Sequence, residues 1–408
     1  MIVAFGTYDA ARHPRVGVLV AGLQAHGYEV AELNRPLGFS TAARVRMLRQ
    51  PWRLPLLLLR LLACWALLVR DAAAHRRVHG APDAVLVGYL GHFDVVLARL
   101  LHPRTPVVLD HLVFAADTAV DRGATGLRVR LLQGLDRLAL ACADVVVLDT
   151  DEHRALLPTP RVRRAFLDLP HRRPVGENPA RSRRRGVVVV PVGAPDAWFA
   201  DAASRAARGR GIPGPDGGTP AVAGPLRVVF FGLFTPLQGA VTVAEALADA
   251  LPRAAAAGRP IEATLIGTGQ DHAAARSALE GVDGVTWLGW TAPADLPELV
   301  AAHDVCLGIV GGTPKGRRVV PNKVFQGLAA GCVVVTSDTP PQRRLLGDHL
   351  ELVPPADRRA LADRLVDLTD PVRLAAARAR AHGARDAIRP AAVVGPLVAA
   401  LDRRGIRP

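Results

Sequence analysis

Four cations surround the start of a short predicted helix in the second half of the sequence. Lys315 and Lys323 are the only lysines among the 51 Lys and Arg residues of the chain, and Arg317 and Arg318 lie between them. A helix N-terminus offers unpaired backbone N–H groups and the positive end of the helix dipole, which together favour phosphate. We therefore predict an anion site here, with phosphate as the expected ligand.

The segment around Lys323 has the pattern of a short helix followed by a strand. Pro321 suits the first turn of a helix, because the N–H that it lacks would have no partner there. Apolar residues then repeat at helical spacing from Val324 to Ala329, and Gly331 is a typical helix stop. The sequence CVVVTSD that follows predicts a strand. We expect residues 311–327, and the helix start in particular, to contact the anion.

Glycines follow several other predicted strands. Gly6 ends the first strand of the chain, and Gly232, Gly239 and Gly267 follow strands of the second half. Glycine allows the backbone to come close to a ligand, and open α/β sheets bind ligands at the carboxyl ends of their strands. We therefore predict that these glycines contact the ligand. The loop at Gly6 is not GxGxxG, so it does not indicate a dinucleotide site.

Polar residues also collect at strand ends in the first half. His92 and Asp94 follow the predicted strand at 83–89, and Asp110 and His111 end the next one. Each residue alone is more often a helix cap or a turn residue. Because they converge on one sheet edge, we predict that His92 and Asp94 orient an acceptor hydroxyl or the transferred group.

Alternating strand and helix patterns must position all of these residues. Such alternation is typical of a doubly wound parallel α/β sheet. Since 408 residues exceed what one hydrophobic core usually organises, we predict two Rossmann-like domains that face one interdomain cleft. The predicted strands lie at 2–5, 28–33, 83–89, 106–110, 144–150, 186–193, 227–232, 261–269, 284–290, 304–310 and 332–338.

The predicted domain division has four parts. Residues 1–200 form the first Rossmann-like domain and residues 226–380 the second. Between them, 201–225 is rich in Ala, Gly, Pro and Asp and is interpreted as a linker. Residues 381–408 are predicted to form a helix and a basic tail that could cross back to the first domain.

The net charge suggests a polyanionic partner. It is +14, with a pI near 11.0, which is compatible with nucleic acid or an anionic membrane surface. Aromatic residues make up only 4% of the chain and none is interleaved among the arginine runs, so nucleic acid is not predicted. Residues 44–77 are basic and rich in Leu and Trp, but their apolar core is shorter than the roughly 20 residues that span a bilayer. They either lie on an anionic membrane surface or pack on the sheet as an ordinary helix.

The cysteines and the first residues predict the cellular setting. The four cysteines are far apart and include no CxxC pair, so they support neither a zinc site nor a redox motif. The chain enters a strand at once and shows no secretory signal. We expect a reduced cytoplasmic setting, with peripheral attachment to the inner face of the cell membrane as an option.

Four sequence blocks of the second half resemble, in order and spacing, the nucleotide-sugar-binding half of GT-B glycosyltransferases of glycosyltransferase family 4. The blocks are FFGLFTPLQG, LIGTGQ, VTWLGWTAPADLPELVAAHDVCLGIV and VPNKVFQGLAAGCVVVTSD, and the resemblance covers residues 225–370. In the first half, FGTYDAARHPR, GYLGHFD and VVLD resemble acceptor domains of bacterial members. The resemblance implies retaining, metal-independent transfer of a sugar from a nucleoside-diphosphate sugar to a glycan, lipid-linked or small-molecule hydroxyl.

The chain departs from the family pattern at the donor site. Gly232, Leu233 and Gln238 stand where the family has glycine, arginine and lysine, so both phosphate-binding cations are missing. The family's two glutamates correspond to Arg318 and Gln326. Gln326 can still accept a hydrogen bond from the ribose, although a neutral acceptor makes a weaker bond than a carboxylate.

The resulting hypothesis is a hexosyltransferase-like enzyme that needs no cofactor other than its donor substrate. No DxD-like pair ends a strand of the second half, so we predict no essential metal. Two other functions stay open, a nucleotide-sugar 2-epimerase of the same architecture and a non-catalytic relative that has lost the glutamates. The predicted catalytic residues are His92, Asp94, Arg318 and Lys323, and the predicted donor-binding residues are Gly6, Gly232, Gly239, Gly267, Lys315, Asn322 and Gln326.

Overall fold

The computed structural model describes residues 1–9, 13–39, 52, 54–121, 123–157, 186–199 and 224–408, and these form two α/β units. The first unit contains Met1–Pro191 and Val394–Pro408, and the second contains Val192–Val393. The arginine-dense residues 161–185 and most of the predicted linker lie outside the described residues.

The first unit is built on a six-stranded parallel sheet of order β2-β1-β3-β4-β5-β6. Every residue of β1, β3, β4 and β5 is buried, as expected for parallel strands that helices cover on both faces. The strands are β1 (Ile2–Gly6), β2 (Val30–Asn34), β3 (Ala84–Val87), β4 (Val107–Asp110), β5 (Val145–Leu148) and β6 (Gly186–Val189). The helices described for this part of the chain are α1 (Arg15–Ala25), α2 (Leu54–His79), α3 (Asp94–Leu101), α4 (Ala115–Asp121), α5 (Leu127–Cys142) and α6 (Asp151–Ala155).

The second unit repeats this architecture with a parallel sheet of order β12-β11-β10-β7-β8-β9. Its strands are β7 (Leu226–Phe231), β8 (Ile261–Ile266), β9 (Val285–Leu288), β10 (Val305–Leu307), β11 (Val333–Ser337) and β12 (Glu351–Val353). Its helices are α7 (Ala240–Ala256), α8 (His272–Ala278), α9 (Leu296–Ala301), α10 (Asn322–Ala329), α11 (Pro340–Leu346), α12 (Arg358–Asp367), α13 (Pro371–Gly383) and α14 (Pro390–Val393). Helix α7 shows how the sequence builds this core. Val243, Leu247 and Leu251 recur every fourth residue and are all buried against the sheet.

The two units are divided after Pro191 and after Val393, whereas the predicted domains were divided at the 201–225 linker and after residue 380. Residues 192–199 belong to the second unit, where the Ala194 N–H donates to the Ile388 carbonyl (3.0 Å) and Trp198 stacks on Phe231. The last helix, α15 (Gly395–Asp402), and the residues after it belong to the first unit. There the Tyr28 hydroxyl donates to the Ile406 carbonyl at 3.1 Å. The contacts of these short segments, rather than their composition, decide the boundaries.

Helix α2 contains most of the segment for which the sequence left two interpretations open. Its second half packs on the sheet, with Leu68 fully buried and Asp71 paired with Arg35 at 2.6 Å. Its first half leaves four leucines about half exposed, namely Leu56, Leu58, Leu59 and Leu62. Within the described ranges, no helix combines the length and the hydrophobicity needed to cross a membrane.

Candidate functional site

Three loops meet at the carboxyl edge of the second sheet. They follow β7, β8 and β10, which are neighbours in the strand order. The Gly232 N–H donates to the Ile266 carbonyl at 3.0 Å, and the Gly267 N–H donates to the Leu288 carbonyl at 2.9 Å. These bonds fix the backbone where the strands end, at the edge where open α/β sheets bind ligands.

The predicted glycines are required to build these loops. Gly232, Gly239 and Gly267 have φ values of +120°, +73° and +123°, which other residues rarely adopt. A Cβ on Gly267 would lie 2.1 Å from the Gly232 carbonyl oxygen, and one on Gly239 would lie 2.5 Å from the Gly311 nitrogen. The structure therefore brings these predicted positions together through direct backbone contacts.

Helix α10 begins beside these loops, as the sequence predicted. Its N-cap is Pro321, with φ −75° and ψ 157°, and Asn322 and Lys323 are its first residues. The Val324 N–H donates to the Pro321 carbonyl at 3.0 Å. Because proline has no capping side chain, the N–H groups of Asn322 and Lys323 receive no side-chain cap from it. Gln326, one turn further on, is 9% exposed. A glycine within the helix, Gly327, packs against Cys306 of β10, where a Cβ would lie 2.8 Å from the sulfur.

The Lys323 side chain carries the least expected feature of the second unit. It is only 5% exposed, and its ammonium lies 3.9 Å from the centroid of the Phe230 ring. Among the described residues, its Nζ atom has no hydrogen-bond partner. A Cβ on Gly232 would lie 3.7 Å from this Nζ atom, so the cation lies beside the β7 loop.

Burial lowers the pKa of Lys323 from 10.5 to about 7. The neighbouring Cys306 opposes this change only in part, because burial raises the pKa of that thiol to about 12 and keeps it neutral. A buried cation whose only partners are aromatic rings is still unfavourable in the empty protein, because it has no hydrogen bond among the described residues. An anion at this position would remove that cost.

The other predicted cations lie on the loop between β10 and α10. Lys315 and Arg318 are half buried, whereas Arg317 is exposed. A short 3₁₀ turn at Gly316–Arg318 holds them, with the Gly316 N–H donating to Thr313 Oγ at 3.1 Å. The structure therefore places Lys315, Arg318 and Lys323 on one continuous loop-to-helix segment.

Gln238, which stands where the family has a lysine, is a further polar residue of this edge. Its Oε1 atom is buried and has no hydrogen-bond partner among the described residues. Its own carbonyl accepts a hydrogen bond from Val310, so it lies between the β7 and β10 loops.

Asp94 is held by hydrogen bonds to the loop after β1 and to helix α2. Its Oδ2 atom accepts hydrogen bonds from the Thr7 N–H (2.7 Å) and the Thr7 hydroxyl (2.9 Å). Its Oδ1 atom accepts from the Trp65 indole at 2.9 Å. Gly6 fits against this carboxylate, because a Cβ there would lie 3.1 Å from Oδ2. These contacts make Asp94 a positioning residue that holds the loop after β1.

His92 is also engaged inside the first unit rather than at its surface. It is 6% exposed, and its Nε2 atom lies 3.0 Å from Asp136 Oδ1. The amides of Ala115 and Ala116 donate to the same carboxylate at 2.9 and 3.1 Å. Although burial favours the neutral acid, the hydrogen bonds from His92 and these amides hold the pKa of Asp136 below its usual value.

His111 completes a buried cluster with His92 and Asp136. It is 2% exposed, and its ring centroid lies 4.9 Å from that of His92. Burial, with a smaller contribution from His92, lowers its pKa to about 3, so the ring is neutral. Sequence reasoning missed Asp136, for which the only signal was that it is the one acidic residue of α5, a helix whose other charged residues are arginines.

Comparison with known proteins relates the second unit to a sequence family. Residues 225–370 match the family model described as "Glycosyl transferases group 1". No match to the chain is found among curated protein sequences.

Solved structures relate the whole chain to one fold. HepE of Anabaena in complex with UDP-glucose is 14% identical, with a TM-score of 0.58 over 99% of this chain and 98% of that one. A UDP-forming α,α-trehalose-phosphate synthase of Burkholderia vietnamiensis is 16% identical, with a TM-score of 0.58 and the same coverage. Sucrose-phosphate synthase of Thermosynechococcus elongatus is 16% identical, with a TM-score of 0.56 over 84% of this chain and 79% of that one. This chain therefore has the GT-B fold of these glycosyltransferases, and its residues 225–370 match the glycosyl transferases group 1 family.

Proposed function

We propose that this protein transfers a sugar from a nucleoside-diphosphate sugar to a hydroxyl acceptor, and that its second unit binds the donor diphosphate at the start of α10. One observation carries the proposal. Lys323 is a buried ammonium without a hydrogen-bond partner among the described residues. It lies beside Gly232 in the loop after β7, within the region that matches the glycosyl transferases. An anionic diphosphate is the ligand that such a cation lacks.

The surrounding residues fit the charge of a diphosphate. The first amides of α10 and the positive end of its dipole add to the charge of Lys323. Lys315 and Arg318 supply further positive charge on the same segment. As the bond between sugar and phosphate breaks, negative charge grows on the leaving diphosphate, and these groups stabilise it. We assign the ribose contact to Gln326 and the close backbone approach to Gly232 and Gly239.

The relatives indicate which donors to test first. Structures of HepE contain UDP, UDP-glucose, or UDP with glucose. A uridine diphosphate hexose is therefore the first donor class for a binding screen. We further propose that the transfer retains the anomeric configuration and needs no metal at the donor site, in line with the resemblance to family 4.

The acceptor side of the proposal rests on the first unit. We propose a glycan or lipid-linked acceptor and contact of α2 with an anionic membrane surface. Leu58 and Leu59 are 55% and 65% exposed on a helix that also carries Arg60 and Arg70. Burying such side chains in a lipid interface contributes on the order of 1 kcal/mol each, and the arginines add attraction to acidic headgroups.

Vesicle flotation tests the membrane proposal. The protein is expected to float with vesicles that contain phosphatidylglycerol but not with pure phosphatidylcholine, and the binding should weaken at high salt. Leu59→Glu should abolish it. Leu131→Glu is the matched control, because Leu131 is 67% exposed on α5. Equal flotation of both variants would refute the contact through α2.

A donor panel with product analysis tests the enzymatic activity. The expected result is donor-dependent glycosylation of an added acceptor. Conversion of the nucleotide sugar without an acceptor would instead indicate an epimerase. Donor binding without any conversion would indicate a non-catalytic relative, a result that the replacement of both family glutamates by Arg318 and Gln326 would then explain.

A further inference from the structure

We propose that His92, His111 and Asp136 bind one divalent transition-metal ion, preferably zinc, at the carboxyl edge of the first sheet. His92 lies just after β3, His111 lies directly after β4, and Asp136 lies on α5. The residues to which the proposed function assigns the donor diphosphate and ribose, between Gly232 and Gln326, lie in the second unit, so this inference does not depend on that proposal.

The distances within the cluster suit one ion. His92 Nε2 and His111 Nε2 lie 3.0 and 3.8 Å from Asp136 Oδ1, and the three ligand atoms all lie within 4.8 Å of one another. A tetrahedral zinc ion, about 2.1 Å from each ligand, separates its ligand atoms by about 3.4 Å. The two distances to Asp136 Oδ1 lie on either side of this value, so small side-chain shifts would complete the site.

The ligand types favour zinc over magnesium or calcium. Two imidazole nitrogens and one carboxylate oxygen form a borderline set, whereas magnesium and calcium prefer oxygen ligands alone. Neutral imidazole is the form that binds metals. Three protein ligands leave a fourth tetrahedral position for a water molecule or a substrate oxygen.

His111 is the residue that hydrogen bonding alone does not explain. The pair of His92 and Asp136 is complete without it, because His92 can donate directly to the carboxylate. His111 Nε2 is buried and, among the described residues, has no hydrogen-bond partner. Buried polar atoms without a partner are rare in native proteins. A metal ion between the three side chains would give this nitrogen its missing interaction.

Backbone amides fix the Asp136 carboxylate in an orientation that suits a metal ligand. The amides of Ala115 and Ala116 donate to Asp136 and fix its orientation, which is the usual task of groups around a metal site. A bound ion would tie together the loops after β3 and β4 and helix α5. The site uses no cysteine, so the cysteine spacing of the sequence could not indicate it.

The test measures metal in protein purified without a histidine tag. After loading with zinc and desalting, wild-type protein is expected to retain about one equivalent by inductively coupled plasma mass spectrometry. Cobalt should replace zinc and give the intense visible absorption of a tetrahedral site. His111→Gln and Asp136→Asn should each lose this equivalent. His102→Gln should retain it, because His102 is a buried histidine of the same unit that lies outside the cluster.

Wild-type protein that retains neither zinc nor cobalt would overturn the proposal, and so would a folded His111→Gln variant that retains the ion as wild type does. If the variants fail to fold, the cobalt spectrum of the wild-type protein decides. Pale absorption typical of octahedral cobalt would then exclude the site. Circular dichroism of each variant separates a lost ligand from a lost fold.

Discussion

Replacing Lys323 with methionine is expected to stabilise the empty protein and to weaken donor binding. Burial lowers the pKa of Lys323 from 10.5 to about 7. Between these values the unfolded chain binds a proton that the folded chain does not, so stability rises with pH across this window. Below about pH 7 both states carry the proton, and the cost of burying the charge is present in full. At about 1.4 kcal/mol for each pKa unit, this cost is roughly 5 kcal/mol.

Thermal melting at pH 6 and pH 10 measures this effect. Methionine keeps an unbranched side chain of similar size in the pocket beside Phe230 without the charge. The variant should therefore melt well above wild type at pH 6, and the difference should shrink as the pH approaches 10. Arg253→Met is the matched control. Arg253 is a half-exposed cation in the last turn of α7, at the opposite end of that helix from Gly239. This control should not melt above wild type at either pH.

Although Lys323→Met should stabilise the empty protein, it should weaken the binding of the donor. A buried charge that pairs with a phosphate oxygen is worth at least about 2 kcal/mol, or about 30-fold in Kd. Isothermal titration with UDP should show this loss for Lys323→Met and unchanged affinity for Arg253→Met. A Lys323→Met variant that is less stable than wild type at pH 6 would refute the reasoning, because it would mean that the ammonium is already well paired in the empty protein.

Three further substitutions follow from the contacts of the two units. Gly267→Ala should destabilise the second unit by several kcal/mol, because a Cβ there would lie 2.1 Å from a carbonyl oxygen; Gly289→Ala has open space and should melt as wild type does. Asp94→Asn should lower the free energy of unfolding by about 1–3 kcal/mol, because the hydrogen bonds to Thr7 and Trp65 weaken. It should leave the affinity for UDP unchanged, and a tenfold loss of affinity would contradict its positioning role. Gln326→Glu should tighten UDP binding by up to about tenfold, because a charged acceptor makes the stronger bond to a ribose hydroxyl, and weaker binding in titration calorimetry would count against the ribose contact.

Local sequence patterns were sufficient for the elements that carry the proposed donor site. Strands, glycines and the proline at the start of α10 depend on neighbours in the chain, so periodicity and residue type predicted them. The same reasoning predicted Lys323 as a cation of the anion site, but it did not predict that the side chain is buried. Its burial against Phe230 comes from the packing of α10 on the sheet, which no short pattern encodes.

The first unit shows where sequence reasoning fails. The position of Asp94 after a strand drew attention to it, but its partner Thr7 lies 87 residues earlier and could not be named from the sequence. His92 pairs with Asp136, 44 residues later, and that distance hid the cluster. Hydrogen bonds between distant residues depend on the tertiary fold. The sequence could therefore name the residue types at this sheet edge but not their partners.

Proton uptake on UDP binding tests the central claim most directly. At pH 8.5 Lys323 should be largely neutral in the empty protein, and a bound diphosphate should restore its charge. Titration calorimetry in buffers of different ionisation enthalpy is expected to show close to one proton taken up for each UDP bound by wild type, and none for Lys323→Met. Binding without proton uptake, or equal uptake by both proteins, would contradict a diphosphate site at Lys323.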